Sequence, residues 1–357
     1  MNILRMCDFP SNKELKRENS IIDYGLAITN IIPQSNEYKK LGHKVIIFTG
    51  GFKKAFSEEV KGFKVYHSRI PRIKNFLFGF GLLSSINEIE KKEGTIDLIV
   101  IHNPLTAAGY WPFTKLLGKK TAIYVHGTFT INNFFEKFIC KKVFQKSDLI
   151  ICISEPAKEQ VISICDEAKG KIVIIRNGVD TELFKPSGAT KNKIIFFGRN
   201  IPQKNLETFI LASKIIKQKF SKIKIMVIGS KVKEKSIDFS GILEQKKIPS
   251  EISRSIVVFP YLQNTFGKTT PEAMAVESVV VGTNTDIPAD IRTKGFFYNV
   301  KKAKDSNYLA KTIIRALKSN RIEIGRKARK IIVEKYSWKK NVEEQLRVIS
   351  KGFKKTS

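Results

Sequence analysis

Residues 256–283 constrain the fold more than any other stretch of the chain. They read as strand, loop, helix, strand. Ile256–Phe259 is a short apolar, β-branched run, as expected of a strand buried on both faces of a parallel sheet. Val279, Val280 and Val281 form a second such run. Between them, Pro271 suits a first helical turn, where a missing N–H costs nothing. Thr269 and Glu272 stand at capping-box spacing. Phe266, Gly267, Lys268 and Thr269 lead into this helix. Gly267 lets the backbone approach a ligand, the helix start offers free N–H groups, and Lys268 adds a full charge. Such a place suits a phosphate or diphosphate. Taken alone, a capping Glu272 and a turn at Gly267 explain the same residues equally well.

The alternation of strand and helix extends along the chain in two consecutive sets. In the first, apolar runs at residues 2–7, 45–49, 97–102, 121–125, 148–153 and 171–175 predict strands. Helices are expected from about residue 23, with a break near Pro33, and at 105–117, 134–146 and from 155. The second set restarts with strands at 193–197 and 223–228, a short strand and turn at 236–242, then 256–259 and 279–281. Its helices fall at 205–220, 249–255 and 306–318. Two such sets imply two doubly wound α/β domains. A length of 357 residues allows two sizeable cores. The turn signal Asn177-Gly178 marks the break, giving domains 1–178 and 179–337.

Sixty-four Lys and Arg face 33 Asp and Glu, a net charge of +31. That balance points to an anionic partner: phosphorylated substrate, acidic lipid headgroup or nucleic acid. A general lysine bias is the plainer explanation. Lys64, Arg69, Arg72 and Lys74 are followed by Phe76, Leu77, Phe78 and Phe80, so residues 64–80 are expected to rest on an anionic membrane surface. A nucleic-acid contact, or a core segment with a charged flank, is the alternative. Cys7, Cys140, Cys152 and Cys165 lack metal-ligand spacing and read as buried free thiols. No apolar run approaches the ~20 residues of a membrane span. The expected location is the cytoplasm, at the inner face of a membrane.

Single residues stand out at strand ends, where α/β folds bind ligands. His126 ends the strand at 121–125 and is followed by Gly127. Gly198 and Arg199 end the strand at 193–197, with Lys204 five residues after Arg199. An arginine offers planar, bidentate contacts to phosphate and a lysine a point charge. A structural histidine and two solvated loop charges are the plainer readings of the same residues. His43, after Leu41-Gly42, reads as structural.

These residues together resemble the family-4 (group 1) glycosyltransferases, which have a GT-B fold of two Rossmann-like domains facing across a cleft. The resemblance rests on Phe266-Gly267, on Glu272-Ala273-Met274-Ala275, on Arg199 with Lys204, and on His126-Gly127. It covers nearly the whole chain. It implies retaining transfer of a sugar from a nucleotide-sugar to a hydroxyl acceptor, in glycan, polysaccharide or glycolipid synthesis. The implied catalytic set is His126, Arg199, Lys204 and Glu272. Gly198, Asn264, Phe266, Gly267, Lys268 and Thr269 line the implied donor site, and Gly25 stands in for the family's acceptor or phosphate loop. Arg199 and Lys204 would meet the diphosphate, Glu272 the ribose and His126 the sugar. The partners implied are a nucleotide-sugar donor and a glycan or lipid-linked acceptor, with no cofactor and no metal. A C-terminal helix at 338–351 is expected to pack back on the first domain. The chain departs from the pattern at 264, where the family has a glutamate and this sequence has Asn264; a donor preference different from the family's follows. Two other classes remain open: a degenerate GT-B protein that binds anionic surfaces or nucleic acid, and a GT-B nucleotide-sugar epimerase.

Overall fold

The computed structural model describes residues 1–9, 11–15, 27–70, 72–73, 76–77, 81–230, 234, 236–262, 267–283, 287–292 and 294–352. Gly25, Lys74, Phe78, Phe80, Asn264 and Phe266 lie outside the described residues. The chain divides into two compact units, Met1–Arg176 with Asn341–Ser357, and Asn177–Lys340.

The first unit is built on eight strands: β1 (Asn2–Met6), β2 (Lys44–Thr49), β3 (Phe56–Val60), β4 (Phe63–His67), β7 (Leu98–His102), β8 (Lys120–Val125), β9 (Leu149–Cys152) and β10 (Ile172–Ile174). Two short strands, β5 (Arg72–Ile73) and β6 (Phe76–Leu77), pair apart from them. The sheet order is β10-β9-β8-β7-β1-β2-β4-β3. All neighbours run parallel except β3 and β4. β7 and β9 are buried along their whole length, which is why they read as unbroken apolar runs. The alternating side chains of each strand feed two cores, one per face. Leu4, Met6, Ile99, Ile101 and Ile123 lie in one. Ile3, Cys7, Leu98, Val100 and Tyr124 lie in the other, together with Val342 and Ile349 of the helix Trp338–Gly352.

Lys64 falls inside β4, whose Phe63, Val65 and Tyr66 belong to the core, while Lys64 and Arg69 are exposed. The stretch from 64 to 70 is therefore a sheet strand and its exit. All four cysteines are free and buried.

The second unit has a six-stranded, all-parallel sheet in the order β13-β12-β11-β14-β15-β16. Its strands are β11 (Lys193–Phe197), β12 (Lys224–Ile228), β13 (Asp238–Gly241), β14 (Ile256–Phe259), β15 (Val279–Gly282) and β16 (Phe297–Asn299). Helices Leu206–Lys219, Ser306–Leu317 and Arg321–Lys335 cover it, and Phe196, Phe209, Phe259 and Met274 fill the core.

The strand orders fix where ligands can sit. In each unit the sheet grows in both directions from its first strand. The chain reverses direction of growth between β1 and β7 in the first unit, and between β11 and β14 in the second. Crevices of open α/β sheets lie at such switch points, beyond the carboxyl ends of the strands.

Candidate functional site

In the second unit, β11 runs into Gly198 and β14 into Pro260 and Tyr261. Gly198 is required by space: a Cβ there would lie 2.9 Å from the Tyr261 hydroxyl oxygen. Gly229, with φ +90°, closes over it, and a Cβ there would meet the Gly198 carbonyl oxygen at 2.9 Å. The Tyr261 hydroxyl donates to the Phe197 carbonyl at 2.5 Å, tying the two strand ends together.

After Arg199 the chain makes a single 3-10 turn, Pro202–Lys204, which lays the Lys204 ammonium 3.5 Å from the Tyr261 ring centroid. Asn205 follows in a left-handed conformation, φ +54°. Its amide donates to the carbonyls of Pro260 at 3.0 Å and Ala303 at 2.7 Å, which pins the turn. Lys204 is half-buried while Arg199 is exposed. Burial, then the neighbouring Arg199 charge, lowers the Lys204 pKa to about 8.

The helix Thr269–Ala275 is the next element after β14. The capping box expected of Thr269 and Glu272 is not formed. Lys268 is the N-cap, in a helical backbone conformation, and its side chain makes no capping hydrogen bond. Thr269 is already inside the helix, so its hydroxyl cannot cap from outside. The helix has only seven residues, so the local charge rests on side chains rather than on its dipole. Burial lowers Lys268 to about 8, with Glu272 opposing; burial raises Glu272, with Lys268 opposing. Gly198, Arg199 and Lys204 follow β11, and Lys268 and Glu272 follow β14, the two strands that flank the switch point. The positions of Asn264 and Phe266 fall outside the described residues. Tyr261, the hub of this arrangement, was not singled out in the sequence, where it reads as one more core aromatic.

In the first unit, period-two alternation puts Arg5, His102 and Tyr124 on one face of the sheet, with His126 just beyond the end of β8. His102 is the last residue of β7. Its Nδ1 lies 2.7 Å from His126 Nε2. His126 also stacks on Tyr124, ring centroids 4.5 Å apart. On its other edge, His102 Nε2 accepts from Arg5 Nε at 3.1 Å and Nη2 at 3.0 Å. Arg5 is 1% exposed and also donates to Ser35 Oγ at 2.9 Å, to the Ile31 carbonyl at 3.2 Å and to Gln34 Oε1. Gln34 Nε2 reaches Asn341 Oδ1 at 2.9 Å, and Gln345 Oε1 accepts from Tyr38 at 3.0 Å. The last helix is therefore hydrogen-bonded into the same network as the site histidine. A charged residue inside the otherwise apolar run Ile3-Leu4-Arg5-Met6 was the sequence signal for this network. His43 sits elsewhere, its Nδ1 3.1 Å from the N-terminal amine.

A cavity of about 950 Å³ opens beside the carboxyl ends of β1 and β2, lined by Phe9, Lys13, Thr49, Phe52, Lys53 and Phe56 among others. Among the described residues, no group of three or more His, Cys, Asp or Glu side chains is placed to hold a metal ion.

Known proteins share this architecture. Residues 34–183 match the family described as Glycosyltransferase Family 4, and residues 179–338 that described as Glycosyl transferases group 1. The capsular polysaccharide biosynthesis glycosyltransferase CapM of Staphylococcus aureus is 27% identical over 236 residues, 57% of this chain. The match spans 62% of that protein, so the chain covers less than two thirds of its relative's length. The sucrose-phosphate synthase of Thermosynechococcus elongatus superposes with a TM-score of 0.69 at 15% identity, covering 99% of this chain and 100% of the other. Anabaena HepE in complex with UDP superposes with a TM-score of 0.70 at 14% identity, covering 98% and 100%. The two family matches abut near residue 180 and the superpositions run the length of the chain, so this GT-B protein belongs to the family-4, group 1 glycosyltransferases.

Proposed function

We propose that the chain is a retaining glycosyltransferase that moves a sugar from a nucleotide-sugar to a hydroxyl acceptor in glycan, polysaccharide or glycolipid synthesis. One observation carries this reading. Lys204 and Lys268 are half-buried ammonium groups on the segments that follow β11 and β14, the strands flanking the switch point, Lys204 beside Arg199 and Lys268 beside the half-buried carboxylate of Glu272. Cations held away from water interact strongly with developing negative charge, and a leaving nucleoside diphosphate develops it. Arg199, Lys204 and Lys268 stabilise that diphosphate, and Gly198, Gly267 and Thr269 let it approach the backbone. Glu272 accepts hydrogen bonds from the ribose, and the sugar is assigned to His126, as the family implies. The departing phosphate oxygen takes the acceptor proton. UDP is the first nucleotide to test, since HepE is described in complex with it.

The acceptor side is proposed for the first unit, in the cavity beside β1 and β2 or at a membrane. A specific feature favours a lipid-linked acceptor. The helix Phe134–Lys146 exposes Phe134 (83%), Phe135 (64%) and Phe138 (49%) in its first turns, with exposed Lys137, Lys142 and Lys146 along it. Its Glu136 is turned inward, accepting from the Asn132 N–H at 2.8 Å. Exposed aromatics beside lysines suit an anionic membrane interface better than the 64–80 segment does, because part of that segment is core. No helix among the described residues is long and apolar enough to cross a membrane. Contact is therefore proposed as peripheral, at the inner face of the membrane.

A thermal-shift panel of nucleotides and nucleotide-sugars tests the donor. A ligand at 100 times its dissociation constant stabilises by about 2.7 kcal/mol. Product anomeric configuration, read by NMR, tests retention, and release of free sugar or epimer without acceptor would move the assignment to a hydrolase or an epimerase. Sedimentation with phosphatidylglycerol vesicles tests the membrane: Phe134→Ser with Phe138→Ser should leave the protein in the supernatant while nucleotide affinity stays constant. Equal pelleting of variant and wild type removes the membrane reading.

A further inference from the structure

The first unit buries an arginine whose partners among the described residues include no carboxylate. Arg5 donates to His102, Ser35, Gln34 and the Ile31 carbonyl. Burying a guanidinium among neutral groups is costly, and hydrogen bonding must offset it. The arrangement also has a direction. A guanidinium has five N–H donors and no acceptor. His102 Nε2, which faces two of its nitrogens at 3.0 and 3.1 Å, must therefore carry the lone pair.

A neutral imidazole bears its single proton on one nitrogen only. If Nε2 of His102 accepts, its proton is on Nδ1. That nitrogen is 2.7 Å from His126 Nε2, so it donates there. His126 Nε2 is then also an acceptor, and the proton of a neutral His126 sits on Nδ1. Protonating His126 at Nε2 would set two N–H groups against each other at 2.7 Å. Two features keep His102 from escaping by taking a second proton. It is 2% exposed, and the Arg5 charge is against it. Burial first, then Arg5 and His126, hold its pKa well below the ordinary value.

We propose that Arg5, acting through His102, is a positioning residue that fixes His126 as the neutral tautomer protonated on Nδ1. His126 then meets the sugar as a neutral imidazole whose proton sits on the buried Nδ1 and whose Nε2 is not available as a general base. The Tyr124 ring, stacked on both histidines at 5.3 and 4.5 Å, holds their planes in line for this relay. The part of the inference that concerns the sugar rests on the donor-site reading above. The tautomer does not.

The chain has four histidines, His43, His67, His102 and His126, so the experiment is tractable. Long-range proton–nitrogen NMR correlation on full-length protein labelled with 15N at histidine distinguishes Nδ1–H from Nε2–H imidazole. Single His→Asn variants at 43 and 67 assign the other signals by subtraction. Wild type should show both His102 and His126 protonated on Nδ1 and unchanged between pH 6 and 8. Arg5→Gln keeps an amide donor but loses the charge and the fork. It should turn His126 into a mixture of tautomers and lower kcat by roughly 10- to 100-fold, with UDP affinity unchanged. Arg5→Lys, which still donates to Nε2, should recover most of the rate. A purely structural role predicts instead fewer folded molecules of normal kcat and an unmoved tautomer. Wild-type His126 protonated on Nε2, or a tautomer that ignores Arg5→Gln, overturns the proposal, and either result is read on protein alone. If the tautomer behaves as stated but kcat does not follow, the relay stands and the donor-site reading of His126 fails.

Discussion

At the scale of single residues, the two lysines at the second unit's switch point make the sharpest statement. Lys204 and Lys268 are each held at about 8, so both are mostly neutral at pH 9 in the free protein. A bound diphosphate favours their charged forms and raises both pKa values. Binding must then take up protons above pH 8, about one per lysine at pH 9, and affinity must fall as pH rises. Calorimetry with UDP at pH 9, in two buffers of different protonation enthalpy, measures that uptake directly. The Lys204→Met variant should take up about one proton fewer. An uptake of zero in wild type would mean that neither ammonium meets the phosphates. In turnover, Lys204→Ala or Arg199→Ala should cost about 2–4 kcal/mol, roughly 30- to 1000-fold. Wild-type rates in both would remove them from the site. Arg199 stood out in the sequence because a charge just past an apolar run is conspicuous, and Lys204 and Glu272 by the family resemblance. Tyr261 and His102 were not, since an aromatic or a histidine ending a buried strand looks like core. Their importance lies in partners at distant positions, which no local pattern displays.

At the scale of elements, the apolar runs located most strands of both sheets. Ile256–Phe259 and Lys193–Phe197 agree to the residue with what their sequences implied. The miss at β3 has a physical cause. Phe56–Val60 is the edge strand, largely exposed, so Phe-Ser-Glu-Glu-Val lacks the apolar signature of a buried one. The helix Leu82–Glu93 was passed over for a related reason. Only Leu82, Ile86 and Ile89 face the core, and its last turn is Lys and Glu. Local propensity misleads in sign as well as in place at Gly325, inside the helix Arg321–Lys335. Alanine is the better helix former by ~1 kcal/mol, so propensity alone favours Gly325→Ala. A Cβ there would lie 2.2 Å from the Glu277 carbonyl oxygen. Glu277 is itself fixed, at φ +61° and paired with Arg254 at 2.9 Å. Overpacking should win, with a net loss of about 1–2 kcal/mol and a fall in Tm of roughly 3–8 °C. Calorimetric melting checks this, and a rise in Tm would show that the helix and the Glu277 turn do not touch.

At the scale of the whole molecule, the two-sheet architecture was the most legible feature, because strand–helix alternation restarts once along the chain. What sequence pattern alone does not convey is that the first unit is discontinuous. Its second core counts Val342 and Ile349 among its buried residues, and Asn341 Nδ2 donates to the Arg176 carbonyl at 2.7 Å. Ending the chain after residue 340 should therefore open one face of the first sheet and leave Gln34 and Tyr38 without their helix partners. Hydrogen exchange over residues 1–176 should rise across β1, β2 and β7, while β11 to β15 keep their protection. Unchanged exchange in the first unit would show that the helix is an ornament to it. The same discontinuity has a consequence in time. A growing chain adds about 5–20 residues per second, so residues 341–352 arrive roughly 8 to 33 seconds after the first sheet is synthesised. Throughout that interval the nascent first unit exposes an apolar face and an incompletely bonded arginine network. The second unit has all its strands before the first has its last helix. Synthesis from the amino end is thus followed by completion from the carboxyl end, and the waiting face is where a chaperone, or a neighbouring nascent chain, would bind first.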